Sequence, residues 1–145
     1  MTVHMLRRFG QPRTLANRRR GSTVVETALV LPILFYLAFG TVEFGHFFFV
    51  KHNFQSAARE GARAAVVTTA TNADVTTAVT NAMNAAGIAS NKYTVTLSPS
   101  NVSGVASGTS ITITVSGTWG NVGVRPLGII GSDKQVVGTT VMRRE

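Results

Sequence analysis

The pattern of apolar and polar positions divides the chain into four stretches. Residues 1–21 are polar and basic, carry Gly10, Pro12 and Gly21, and show no sustained helical period. From Ser22 to Val50 the chain reads STVVETALVLPILFYLAFGTVEFGHFFFV, with Glu26 and Glu43 as its only acids and no Lys or Arg. As a helix, the uncharged interval from Thr27 to Val42 spans roughly 24 Å, and extension through Val50 gives about 36 Å, against a hydrocarbon core of about 30 Å. A single tilted transmembrane helix is the simplest reading. Pro32 is tolerated within it, because neighbouring groups in membrane helices re-satisfy the freed carbonyl.

Lys51 ends the apolar run without ending the helix. KHNFQSAAREGARAAVV stays in helical register, with Phe54, Ala58, Ala62 and Ala65 near one stripe and Lys51, Arg59 and Glu60 open to solvent. Ala57 and Gly61, like Ala58 and Ala62, put small residues at helix-packing spacing. A second helix is predicted over residues 71–86. Thr71 and Asp74 match a capping box, Val75, Val79 and Met83 repeat every four residues, and Gly87 supplies a stop.

Beyond Gly87 the period becomes two. Tyr93, Val95 and Leu97 alternate with Thr94, Thr96 and Ser98, and Ile111, Ile113 and Val115 alternate with Thr112, Thr114 and Ser116. The turn-rich PSNVSGVASGTS between them predicts a hairpin. After a loop containing Gly120, Gly123, Pro126 and Gly128, KQVVGTTVMRRE supplies a third strand. The expected class is α+β: a long N-terminal helix with a membrane half and a projecting half, a short second helix, and a small antiparallel sheet of about three strands. The expected organisation is a basic cytoplasmic leader at 1–21, a transmembrane helix at 22–50 and an extracytoplasmic α+β domain at 51–145.

Composition narrows the function. The 145 residues are 44% hydrophobic and 14% charged, with a formal charge of +8. Six arginines lie in the first 21 positions, which hold no acid, leaving eight bases against six acids in the remainder. The positive charge thus belongs to a short arm abutting an apolar helix, which points to cytoplasmic retention by the positive-inside effect and away from nucleic acid. The absence of cysteine excludes disulfides, thiolate metal sites and cysteine catalysis.

Candidate chemistry is sparse. His46 and His52 are six apart and fall on different helical faces, while Glu43 and His46 at i+3 are placed for an ordinary hydrogen bond. No metal pair, catalytic constellation or phosphate loop is found, so neither enzyme activity nor a cofactor is expected. An ordinary secretory signal is one reading of the N-terminus, with Ala38-Phe39-Gly40 as a small-x-small cut. Glu26 intrudes on its apolar core, however, and the cut would leave FGHFFFV on the mature protein. A plain signal anchor fits better but gives Glu26 no purpose beyond snorkelling toward headgroups near Arg20.

A third reading does give it one. The basic leader, Gly21, Glu26 five residues on and the apolar helix together resemble the processing site of type IV prepilins and pseudopilins. More closely, the span is similar to the TadE-like family of tight-adherence pilus assembly proteins. The matching parts are Gly21, Val25-Glu26, Ala28-Leu29-Val30-Leu31-Pro32, Phe39-Gly40, Val42-Glu43-Phe44-Gly45 and Ala57-Ala58-Arg59-Glu60-Gly61-Ala62-Arg63. The terminal VMRRE also resembles the end of such proteins. The sequence departs from the pattern at Thr27, where TadE-like proteins often carry phenylalanine.

The resemblance implies a pseudopilin-like fold and a minor pseudopilin of the bacterial inner membrane. A prepilin peptidase would cut between Gly21 and Ser22. Glu26 would then meet the new amine of a neighbouring subunit, relieving a carboxylate that is costly at membrane depth. The implied partners are that peptidase, other pilus or pseudopilin subunits, the inner-membrane assembly platform and the lipid bilayer. Gly40, Glu43 and Gly45 are candidates for helix contact or the outer interface; Glu43 is rotated about 100° from Glu26 around the helix. The alternative from another class is an uncleaved single-pass anchor whose extracytoplasmic domain binds a ligand. A secreted hydrolase or carbohydrate-binding domain is a distant third, because residues 88–145 offer no acid pair or aromatic platform.

Overall fold

The computed structural model describes residues 16–145, with side chains from Gly21 onward. The chain divides into two compact units, one ending at Leu37 and one running from Ala38 to Glu145. Helix α1 (Ala16–Ala65) contributes to both and contains Pro32. The basic leader lies outside the described residues except for the helical backbone from Ala16 and the open Gly21. The helix thus begins within a stretch that shows no sustained helical period. Arginine is a good helix former, and a single glycine costs about 1 kcal/mol without ending a helix.

In the first unit, α1 displays Val24, Val25, Leu29, Val30, Leu31 and Ile33 to the outside. In the second, one stripe of the same helix is covered. Gly40, Glu43, Val50, Phe54, Ala57, Ala58, Gly61, Ala62 and Ala65 are buried at spacings of three and four, which keeps one face against the core. The compact unit therefore starts inside the stretch read as transmembrane, twelve residues before Val50.

Helix α2 (Asn72–Ala85) forms where the local signals place it. The Thr71 hydroxyl accepts from the Asp74 amide, and the Asp74 carboxylate accepts from the Thr71 amide at 2.9 Å and its hydroxyl at 2.7 Å. These Thr71 donors hold the Asp74 carboxyl below the usual aspartate value, against a weaker opposing effect of burial. Val75, Val79 and Met83 are buried, and Gly87 ends the segment at φ +73°.

After a 3₁₀ turn (Ser90–Lys92) come β1 (Thr94–Ser98), β2 (Ser110–Thr118), the short helix α3 (Trp119–Val122) and β3 (Gln135–Arg143). The three strands make one antiparallel sheet in the order β1-β2-β3, as the period-two pattern predicts. Ile111, Ile113 and Val115 face α1 and α2 in the core, while Thr114 and Thr139, opposite one another, share a hydroxyl contact at 3.3 Å on the outer face.

Glycines let the helix approach the sheet closely. A Cβ on Gly138 would lie 2.3 Å from the backbone carbonyl of Phe54, and one on Gly117 would press on the Phe54 ring. The outward edge of β3 is satisfied by a side chain from α1. Gln55 Nε2 donates to the Thr139 carbonyl at 2.8 Å, and its Oε1 accepts from the Thr139 amide at 3.3 Å. One glutamine thus imitates a strand residue and blunts an edge that would otherwise invite pairing. The C-terminal residues tie down the opposite end of the domain. The buried Arg144 guanidinium donates to the carbonyls of Thr68 and Val102, and the Glu145 amide donates to Val66 at 3.3 Å.

Candidate functional site

The candidate residues fall in two separate places. Gly21, Ser22 and Glu26 lie on the exposed helix of the first unit. Gly21 has open space where a Cβ would stand. Glu26 shares a shallow helix-face groove with Thr23, Thr27, Val30, Leu31 and Leu34. Those positions recur at three- and four-residue spacing, so the carboxylate stands with two threonines at one end of a stripe that continues as Val30, Leu31 and Leu34. Thr27 donates its hydroxyl to the Thr23 carbonyl at 2.9 Å, an internal bond that leaves the helix surface without a demanding donor there. Glu26 has no hydrogen-bond or ion-pair partner among the described residues.

Glu43 sits in the opposite circumstance. Its side chain is fully buried, and its two oxygens accept from the backbone amides of Ile130 at 2.8 Å and Leu127 at 3.2 Å. Gly128 between them adopts φ +66°, a left-handed conformation that turns successive amides toward one point. A carboxylate removed from water is tolerated when it gathers such donors, and these bonds are the stronger, charge-assisted kind. The arrangement corrects the expected Glu43–His46 bond. The amides of the 123–131 loop take the carboxylate, and His46 instead packs on Trp119 at 5.7 Å between ring centroids.

Gly40 lies one turn away, buried under the same loop, where a Cβ would be 3.5 Å from Ile129 Cδ1. Gly45 is exposed and contacts nothing a Cβ would reach. Of the three residues grouped as candidate interface positions, two therefore contact the 123–131 loop of their own chain. Trp119 of α3 completes the junction, edge-on to Phe47 at 5.1 Å, with its Nε1 buried and unpartnered. Sequence reasoning did not find Leu127, Gly128 and Ile130, because an amide cradle leaves no trace in side-chain chemistry. Arg63 and Glu60 form an exposed pair at 3.6 Å. Among the described residues, no three His, Asp or Glu side chains gather to hold a metal ion.

The stretch from Gly21 to Ala65 is long and apolar enough to cross a membrane. It is also where this chain is similar to known proteins, through a family model described as TadE-like protein. Residues 21–63 match the TadE-like family. The TadE-like segment contains Gly21, Ser22, Glu26, Gly40, Glu43 and Gly45, and it ends just inside the C-terminal limit of α1. Helix α2, the sheet and the 123–131 loop lie outside it. No curated protein and no solved structure matches the chain.

Proposed function

We propose that this is a membrane-anchored TadE-like minor pseudopilin that assists assembly of tight-adherence pili. On this reading the leader stays in the cytoplasm and the α+β domain stands outside the inner membrane. A prepilin peptidase releases the leader at the Gly21–Ser22 bond, and the protein itself is not an enzyme. The observation that carries the reading is Glu26. It is an exposed carboxylate on an apolar helix face, unpartnered among the described residues and five positions beyond Gly21, within a segment matching the TadE-like family.

An acid at that depth is costly in isolation and is relieved by a cation from another chain. The amine exposed at Ser22 of a neighbouring subunit is such a cation, and it exists only after the cut. The test is Glu26→Ala in cells that make the pilus. Surface pili should fall at least tenfold while the protein still fractionates with the membrane. Unchanged piliation would contradict the assembly role.

One observation favours the second reading, an uncleaved anchored binding module. The backbone of α1 is continuous across the Gly21–Ser22 bond, so a peptidase requiring an extended substrate must unwind it. Gly21 is the point where unwinding costs least, since glycine is the weakest helix former of that stretch.

A further inference from the structure

The second unit exposes apolar side chains that its own fold leaves uncovered. On α1 these are Val42, Phe44, Phe48 and Phe49, each between 46% and 63% exposed. The 123–131 loop adds Val124 at 55% and Ile129 at 53%. Ile129 is held in place from two sides. Its neighbour Ile130 and Leu127 donate their amides to the buried Glu43, and Gly40 offers no side chain to push Ile129 away from the helix. From Gly120 to Ser132 the only charged residue is Arg125, which is exposed and folds back toward Gly128.

Exposed isoleucine and valine in a loop pinned at this level of α1 make little sense facing water. The same turns of the helix also expose Val42 and Phe44, and the loop's single charge is a cation. An apolar slab bounded by negative phosphates complements both features. We propose that the 124–130 loop rests in the lipid headgroup layer, with Val124 and Ile129 reaching the acyl-chain boundary and Arg125 pairing with lipid phosphate. Glu43 is then the residue that positions this loop against the bilayer. The inference rests on α1 being a membrane-spanning helix.

The chain has no cysteine, so single cysteines report cleanly. The full chain carrying Val124→Cys, Ile129→Cys, Leu34→Cys or Val141→Cys is labelled with an environment-sensitive fluorophore. It is then reconstituted in phosphatidylcholine–phosphatidylglycerol vesicles. All four side chains are more than half exposed, so no core contact is lost. Lipids spin-labelled near the top of the acyl chain should quench positions 124 and 129 severalfold more than 141, and aqueous iodide should do the reverse. Adding Glu43→Ala should abolish lipid quenching at 129 and leave Leu34 quenched by deep-labelled lipid.

If Leu34 is quenched while 124 and 129 respond to iodide as 141 does, the loop does not touch lipid and this inference alone fails. If 124 and 129 are shielded from both quenchers, a protein surface covers them, and the inference again fails. If Leu34 is unquenched by any lipid, the membrane span fails and carries the inference with it.

Discussion

Two carboxylates stand on the same apolar helix, and their surroundings give them different work. Glu43 is enclosed and receives two amides from its own chain, whereas Glu26 is exposed beside Val30, Leu31 and Leu34. Removing Glu43 should therefore loosen a loop, and removing Glu26 should leave the fold untouched. In Glu43→Ala, hydrogen exchange at the Leu127 and Ile130 amides should quicken at least tenfold, with the α2 amides unchanged. Unaltered exchange at both loop amides would show that the carboxylate does not hold them. Asp74 makes a prediction in pH. Its folded pKa is depressed below the ordinary 3.8 by Thr71, so the cap's contribution is complete well above that value. It is lost as the pH falls through the depressed folded pKa. Thermal melts of the detergent-solubilised chain should show that acid-side loss in wild type, reduced in Asp74→Asn.

At the scale of elements, the close approach of α1 to the sheet depends on positions without side chains. Gly138 faces the Phe54 carbonyl, and backbone cannot move aside as a flexible side chain can. Gly138→Val should destabilise the domain by at least about 1–3 kcal/mol, the usual cost of overpacking, read from the denaturant midpoint. A midpoint within error of wild type would mean that the helix does not pack on that strand. What was legible here depended on distance along the chain. Helix α2 could be read because its cap and its Val75–Val79–Met83 row are local, and the strands because their alternation is. Gly117 and Gly138 were not legible as docking positions, since their meaning depends on Phe54, which meets them only in the folded unit. The 123–131 loop has no period to read, and its amides find Glu43 84 and 87 residues away in sequence.

At the scale of the whole molecule, helix α1 contributes to both compact units. The apolar run continues to Val50 with no break in its hydropathy. The compact unit, however, begins at Ala38 because one helical face already carries the residues it buries. Hydropathy alone cannot show this, for a stripe packed against protein and a face turned to lipid are equally apolar. The Gly21, Glu26 and Glu43 pattern was the informative part, and it lies within the TadE-like match. The central claim, that this chain is processed as a pseudopilin, turns on one bond. Intact-mass spectrometry of the protein purified from membranes of pilus-producing cells tests it directly. The account predicts a chain beginning at Ser22, and a chain retaining residues 1–21, or one beginning at Thr41, would contradict it.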